Sequence, residues 1–267
     1  MKEEYFDWLD LSKFNRLFTV GCSFTHYRYP TWADIMHKAM PHAEFHNGGR
    51  AGGGNLFISN RITEIHRKFN LTESDLVMIM WSTHCREDRF VNNKWVVPGN
   101  IYTQDVYEEK FVKEFCQPTG YLLRDISLID MTNSYLDNLP CTYVGMLSVP
   151  FDYQQSHNDT MVKEILGVYN DVVEYFPTSM FELEMNSHWT SNIEYEFNGS
   201  PMIDYHPSPL NYYNYLKALG LPINDAALEY AAQSDTLLRS MKSFEQILLT
   251  WPDLGDYGYR FDSRGFW

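Results

Sequence analysis

The feature of the sequence that most constrains its fold is an unbroken, largely apolar run at residues 74–81, SDLVMIMW. A strand with one solvated face alternates apolar and polar residues, whereas a continuous apolar run is typical of a strand covered on both faces. Parallel sheets are covered in this way because their crossover helices pack on both sides. The run therefore predicts a buried strand of an α/β protein.

Strand and helix patterns alternate along the rest of the chain. This alternation predicts a three-layer α/β sandwich with a central, mostly parallel sheet and extra C-terminal helices. The predicted strands are residues 16–20, 43–49, 74–81 and 141–149, and residues 82–100 are predicted to form a polar loop or a hairpin. The predicted helices are residues 31–40 with Thr31 as N-cap, 56–69, 105–138, 161–175, a turn and helix within 206–220, and one or two helices within 225–250.

The length of 267 residues is enough for one domain to bury a sizeable core without a metal or a disulfide. We expect a single domain over residues 1–267, since no repeat or low-complexity linker divides the chain. Residues 150–203 are interpreted as an insertion or lid, and residues 225–267 as a helical C-terminal extension.

Composition excludes several classes of protein. The formal charge of −14, without a cluster of Lys or Arg, disfavours nucleic acid as a partner. No apolar run is long enough to span a membrane, and the first residues lack a signal-peptide pattern, so we expect a cytoplasmic protein. The four cysteines form no C-x-x-C pair, and the glycine-rich stretch is not a P-loop. Of the histidines, only His42 and His46 have helix-type i, i+4 spacing, and Pro41 with the strand pattern around them argues against a helix there. We therefore expect neither a metal nor a cofactor; the oligomeric state is left open.

Side chains suited to acyl chemistry follow the predicted strands, where ligands bind in an open parallel sheet. Gly21, Cys22 and Ser23 follow the first strand, and Ser82, Thr83 and His84 follow the third. A serine nucleophile needs an imidazole to accept its proton and a carboxylate to orient that imidazole. Asp204 and His206 offer this pair in the sequence IDYHP.

Three motifs, VGCSF at residues 20–24, NGGRAG at 47–52 and DYHP at 204–207, resemble in their order the sequence blocks of the SGNH (GDSL-type) hydrolases. Two departures stand out: Cys22 occupies a position that is usually aspartate, and residues 81–88, WSTHCRED, lack the asparagine of the third block. The resemblance implies a flavodoxin-like three-layer fold and a serine hydrolase that needs no cofactor.

The resemblance and the chemistry of the side chains assign the same roles. Ser23 is the predicted nucleophile, His206 the general base and acid, and Asp204 the residue that orients His206. The predicted oxyanion donors are the backbone N–H groups of Ser23 and Gly52, with Ser82 or Thr83 in place of the missing amide. Five residues are further predicted to contact substrate: Asn47, Tyr27, His84, Arg86 and Tyr205.

These assignments predict a serine esterase or acylesterase acting on a small or carbohydrate-borne ester, for example an O-acetyl group. The substrate is then a small molecule or a glycan. Three alternatives stay open at this point. The first is an O-acyltransferase, in which a sugar hydroxyl replaces water. The second is a binding or structural protein with a decayed site, and the third is a thiol enzyme that uses Cys22.

Overall fold

A computed structural model describes residues 5–102, 107–153, 159–186, 192–252 and 254. The strands are β1 (Arg16–Gly21), β2 (Glu44–Asn47), β3 (Asp75–Trp81), β4 (Arg89–Val91), β5 (Lys94–Val96), β6 (Thr142–Leu147), β7 (Ile193–Phe197) and β8 (Ser200–Asp204). The α-helices are α1 (Trp32–Ala39), α2 (Asn55–Phe69), α3 (Glu109–Phe115), α4 (Pro118–Asp137), α5 (Thr160–Val168), α6 (Asn170–Tyr175), α7 (Met180–Leu183), α8 (Pro209–Ala218), α9 (Asp225–Ser240) and α10 (Phe244–Thr250).

Four strands form an all-parallel sheet in the order β2-β1-β3-β6. Every residue of β3 is buried, as the apolar run predicts. Since β2 and β3 flank β1, the chain leaves β1 in one direction across the sheet and leaves β3 in the other. The carboxyl ends of β1 and β3 therefore flank a topological switch point, the usual place for a ligand in such a sheet.

Helices cover both faces of the sheet, so the fold has three layers: helices, sheet and helices. Alternate residues of β3 divide between two hydrophobic cores: Leu76, Met78 and Met80 face one core, and Val77, Ile79 and Trp81 face the other. The first core is completed by side chains of α1, α8 and α9, and the second by side chains of α2, α4, α5 and α6. The predicted α/β sandwich with additional C-terminal helices is confirmed.

Two predicted helices are each interrupted. The region predicted as helical over 105–138 contains α3 and α4, separated at Cys116 and Gln117, while residues 103–106 lie outside the described part. Pro118 begins α4 and disfavours helical backbone at the residue before it, and Gln117 is accordingly extended with ψ 125°. The helix predicted over 161–175 is divided at Tyr169 into α5 and α6.

A β-hairpin, β7–β8, lies where the sequence analysis predicts no strand. Its turn is Asn198-Gly199, with φ values of 51° and 77°, the left-handed conformations that a tight two-residue hairpin turn requires. Ile193 and Tyr195 of β7 pack into a small core with Tyr27, Tyr29 and residues of α9 and α10. The hairpin is thereby fixed against the loop that follows β1.

The segments predicted as additions contain ordered elements. Residues 150–203, interpreted as an insertion or lid, hold α5, α6, α7 and most of the β7–β8 hairpin. The 225–267 extension contains α9 and α10, and its residues 253 and 255–267 lie outside the described part. The single-domain boundary and the lid role stay predictions. Within the described ranges, no helix combines the length and apolarity needed to cross a bilayer.

Candidate active site

Ser23 lies in a tight turn directly after β1. The N–H groups of Thr25 and His26 donate to the carbonyl oxygen of Cys22 at 3.0 and 3.1 Å, which turns the chain back on itself. Gly21 permits this turn, because a Cβ at that position would lie 2.0 Å from Thr25 Oγ1 and 2.8 Å from the carbonyl oxygen of Met80. Ser23 itself is 7% exposed. The turn therefore holds the serine at the carboxyl edge of the sheet.

Asp204 and His206 reach this edge from the end of the β7–β8 hairpin. Asp204 is the last residue of β8, and its Oδ1 accepts from the backbone N–H of His206 at 3.0 Å. The same oxygen lies 2.7 Å from His206 Nδ1. Only one residue separates Asp204 from His206, so both the backbone N–H and the ring of His206 contact the same carboxylate oxygen. The D-x-H spacing therefore produces a compact acid–histidine pair.

The Oγ of Ser23 lies 2.8 Å from Nε2 of His206, across 183 positions of sequence. A carboxylate only accepts hydrogen bonds, so its contact with Nδ1 assigns the proton of neutral His206 to Nδ1. Nε2 is then left as an acceptor for the hydroxyl of Ser23. This is the arrangement that general-base activation of a serine requires.

Asp204 is charged in this setting. Its burial would raise the pKa of the carboxyl, but the proximity of His206, the two hydrogen bonds from that residue and the charge of Arg28 together hold the pKa below its usual range. The second oxygen, Oδ2, accepts from the hydroxyl of Tyr27 at 2.9 Å and from that of Tyr195 at 3.4 Å. Asp204 therefore remains a carboxylate at neutral pH.

Tyr27 was predicted to contact substrate, and the structure gives it contacts with the acid–histidine pair. Its ring stacks on the imidazole of His206 with centroids 3.9 Å apart, and the side chain is 6% exposed. Phe24 packs edge-on against the same imidazole at 5.5 Å. The sequence analysis did not select Tyr195. The Asn198-Gly199 dipeptide is typical of a hairpin turn, and it indicates that Tyr195 belongs to a strand paired with that of Asp204.

The glycine-rich loop after β2 lies beside the serine turn. The N–H of Arg50 donates to the carbonyl oxygen of Gly21 at 3.0 Å. Gly52 has a φ of +83°, and a Cβ there would lie 2.4 Å from the carbonyl oxygen of Val97. Among the described residues, neither Ser23 nor Gly52 donates its backbone N–H to another protein group. Both backbone N–H groups are thus able to donate to a ligand, as the donors of an oxyanion hole do.

Asn47 links that loop to the serine turn. Its side-chain nitrogen donates to the carbonyl oxygen of Thr25 at 3.0 Å, and its side-chain oxygen accepts from the N–H of Gly49 at 2.9 Å. The side chain is 5% exposed. These contacts hold the two loops together, and the predicted contact of Asn47 with substrate stays a prediction.

The end of β3 is fixed by Asn55, a residue that sequence reasoning did not select. Its side-chain oxygen accepts from the N–H of Ser82 at 2.8 Å, and its nitrogen donates to the carbonyl oxygen of Ser82 at 3.0 Å and to Asp125 at 2.8 Å. Burial raises the pKa of Asp125 to about 6, against the lowering influence of Arg124. The backbone of Ser82 is therefore held from both sides by one amide.

The two hydroxyls proposed for the third oxyanion position differ in their surroundings. Thr83 Oγ1 accepts from the N–H of Cys85 at 3.4 Å. Ser82 is 8% exposed, and within the described ranges its Oγ has no hydrogen-bond partner. A buried hydroxyl without a partner is costly, and Thr83 is only half-buried, so among the described residues Ser82 is the one of the two whose buried hydroxyl is unsatisfied; both oxyanion assignments stay predictions.

The remaining predicted contacts divide by exposure. Tyr205, between the two members of the acid–histidine pair, is 48% exposed. Arg86 donates to the carbonyl oxygen of Gly53 at 2.6 Å, next to Gly52. His84 is only 4% exposed, and burial, reinforced by Arg124, lowers its pKa to about 4. The His84 imidazole is therefore neutral at pH 7, and its predicted contact with substrate stays a prediction.

Cys22 does not share the exposure of a reactive thiol. It is 1% exposed and packs in the core between the sheet and the α1–α8–α9 layer. The other three cysteines are also buried, and within the described part of the chain none of the four forms a disulfide. The described residues contain no group of three or more His, Cys, Asp or Glu side chains arranged to hold a metal ion.

Comparison with known proteins adds little to this geometry. No family model matches the chain, and no curated protein matches its sequence. Among solved structures it is similar to LAE5, an alpha/beta hydrolase enzyme from the metagenome of Lake Arreo, Spain. The identity is 12%, the TM-score is 0.40, and the match covers 79% of this chain and 97% of that one. A likeness of this size supports no conclusion about function.

Proposed function

We propose that this chain is a serine hydrolase of SGNH type that cleaves ester bonds through an acyl-enzyme on Ser23. The observation that carries the proposal is the continuous series of short contacts Ser23 Oγ to His206 Nε2 at 2.8 Å and His206 Nδ1 to Asp204 at 2.7 Å. The contacts join the three residues that the motif resemblance selects, in the geometry that nucleophilic catalysis needs.

In the proposed reaction, Ser23 Oγ attacks the carbonyl carbon of an ester while His206 Nε2 accepts the hydroxyl proton. The tetrahedral intermediate collapses by breaking the bond to the alcohol oxygen, which takes the proton from His206. Water then attacks the acyl-enzyme while His206 accepts its proton; the second tetrahedral intermediate breaks the bond to Ser23 Oγ, His206 returns the proton to that oxygen, and the carboxylic acid is released. Asp204 stays ionised throughout and stabilises the imidazolium.

The negative oxygen of each tetrahedral intermediate needs preorganised donors. The N–H groups of Ser23 and Gly52 and the hydroxyl of Ser82, which have no partner within the described part of the chain, are candidates for this role. In SGNH hydrolases the third position is an asparagine amide, so the proposal assigns a serine hydroxyl to its task. The proposed substrate is a small or carbohydrate-borne ester, with the exposed ring of Tyr205 at the rim of the site.

The first test is hydrolysis of a short p-nitrophenyl ester by the wild type, Ser23→Ala and Cys22→Ala. We expect Ser23→Ala to lose at least about 10⁴-fold in kcat/KM, since the remaining site offers only binding and oxyanion donors. Cys22→Ala is the matched control, because its thiol is buried in the core; we expect it to keep most activity. Equal activity of Ser23→Ala and wild type would refute the proposed nucleophile.

The same assay separates the alternatives that the sequence leaves open. Faster turnover with added sugar alcohols, accompanied by an acylated sugar, indicates an acyltransferase rather than a hydrolase. Loss of activity in Cys22→Ala but not in Ser23→Ala indicates a thiol enzyme. No Ser23-dependent turnover with a panel of aryl and acetyl-sugar esters indicates a binding or structural protein.

A further inference from the structure

The Asp204 oxygen that does not face His206 has its own donors. Oδ2 accepts from the hydroxyl of Tyr27 at 2.9 Å and from the hydroxyl of Tyr195 at 3.4 Å. Tyr27 and Asp204 are 177 positions apart, and Tyr195 belongs to the strand paired with that of Asp204. The serine loop and the hairpin therefore meet on a single carboxylate oxygen.

Tyr27 also contacts the other member of the pair. Its ring lies parallel to the imidazole of His206, with an interplanar angle of 23° and centroids 3.9 Å apart. One side chain thus hydrogen-bonds the acid and stacks on the base, and the guanidinium carbon of Arg28 lies 4.7 Å from the centroid of the same ring. Arg28 further donates to the hydroxyl of Tyr195 at 2.9 Å and lies 4.5 Å from the ring of Phe244.

We infer that Tyr27 is a positioning residue, which holds the Asp204–His206 pair in register with Ser23 and sets the proton affinity of His206. Its consequence for catalysis rests on the proposed function. The motif resemblance does not supply this role, because the residues that carry the resemblance end at Phe24 in the first block. The role follows from the two contacts of Tyr27.

The direction of the effect follows from charge. A hydroxyl that donates to Oδ2 stabilises the carboxylate and weakens its pull on the proton of His206. Without that donor, the carboxylate stabilises the imidazolium more strongly, and His206 titrates at higher pH. Burial, with the charge of Asp204, raises the pKa of Tyr27 well above its usual value, so the phenol stays a donor across the working range.

Other charged and titratable groups surround the pair and are unchanged by a substitution at Tyr27. From the loop after β1 these are Ser23, Arg28 and Tyr29, from β7 Tyr195, and from α8 Tyr212, whose hydroxyl is buried. Tyr29 donates to the carbonyl oxygen of His206 at 3.4 Å. If removal of the Tyr27 hydroxyl shifts the titration of His206, the shift is therefore assigned to loss of the hydrogen bond between Tyr27 and Asp204.

The test compares wild type with Tyr27→Phe, which deletes the hydroxyl and keeps the ring. The His206 imidazole is titrated by NMR, with its signals identified by their loss in His206→Gln. We expect the midpoint to move to higher pH by up to about one unit, and the acidic limb of kcat/KM to follow it. At the optimum we expect kcat to fall about 10-fold with little change in KM, since a bond to a charged group is lost.

Two matched variants make the result specific. Tyr195→Phe removes the longer bond to the same oxygen, so we expect a shift of the same sign and smaller size. Tyr215→Phe, in the core on α8, removes a buried hydroxyl that lies 3.3 Å from the carbonyl oxygens of Leu147 and Thr178; it serves as the control and should leave the titration unchanged. Thermal unfolding of each variant verifies that it is folded.

The outcomes distinguish this inference from the proposed function. An unchanged His206 titration in folded Tyr27→Phe overturns the inference, whatever the activity of the wild type. A shifted titration in a protein that shows no Ser23-dependent hydrolysis supports the inference and overturns the proposed function.

Discussion

The two halves of the candidate site differ in how they are completed. On the acid–base side, Ser23, His206 and Asp204 bond to one another, and tyrosine hydroxyls occupy the remaining oxygen of the carboxylate. On the oxyanion side, at the end of β3, Asn55 fixes the backbone of Ser82 while the Ser82 hydroxyl is buried without a partner among the described residues. The groups of the acid–base side thus hydrogen-bond to one another, whereas the Ser82 hydroxyl of the oxyanion side is left able to donate to a ligand.

This difference fits what the two halves would do in a hydrolase. A base and its orienting acid work best when preorganised before substrate arrives, so their bonds should exist in the free protein. Oxyanion donors must instead be free until negative charge develops, and must not need to reorganise at that moment. At Ser82, hydrogen bonds to Asn55 fix the backbone, while the side-chain hydroxyl has no partner among the described residues.

The largest effect expected within this comparison is that of Ser82→Ala. If its hydroxyl stabilises the oxyanion, removal should lower kcat about 10²-fold, the lower end of the range for one donor, with KM little changed. Thr83→Ala is the matched control, because Thr83 is only half-buried and its Oγ1 already has a protein partner in the N–H of Cys85; we expect this substitution to lower kcat less than about 3-fold. Steady-state kinetics on the same ester measure both; a larger loss in Thr83→Ala than in Ser82→Ala reverses the assignment.

A smaller effect, on stability rather than rate, is expected from His84. Burial and the charge of Arg124 lower its pKa to about 4, against an ordinary 6.5. Between these values the unfolded chain binds more protons than the folded one, so stability falls as pH falls from about 6.5 toward 4. From this group alone, the free energy of unfolding should drop by about 2 kcal/mol between pH 7 and pH 5.

Urea unfolding at both pH values, for wild type and His84→Gln, measures that contribution. The variant should lose less stability on acidification than wild type does, whereas exposed His42→Gln should behave like wild type. Equal pH dependence of His84→Gln and wild type would mean that His84 is accessible to protons in the folded state.

The sequence predicted much of the acid–base side because its residues carry short motifs at strand ends. The strand at residues 16–20, the IDYHP motif and the resemblance of the motif order to that of the SGNH hydrolases selected Ser23, Asp204 and His206, and the structure brings them within hydrogen-bond distance. The buried run at residues 74–81 likewise predicted β3 and, with it, the parallel sheet. Each motif depended on residues close together in the chain, and the order of the motifs joined them into one site.

The supporting contacts were not predictable in this way. Tyr27 reaches Asp204 across 177 positions, and Asn55 reaches Asp125 across 70. Nothing in the local sequence of a tyrosine or an asparagine specifies such a partner, since many places in a fold satisfy one hydrogen bond. The Asn198-Gly199 turn was a readable hairpin signal. Recognising it would have located Asp204 at the end of a strand and Tyr195 on its neighbour.

The most direct test of the central claim is covalent labelling of the intact protein with a fluorophosphonate, followed by mass spectrometry of its peptides. The account predicts one adduct per chain on Ser23, absent in Ser23→Ala, strongly slowed in His206→Ala and retained in Cys22→Ala. Labelling at another residue, or no labelling of Ser23 in folded wild type, would contradict the claim that His206 and Asp204 activate Ser23 as a nucleophile.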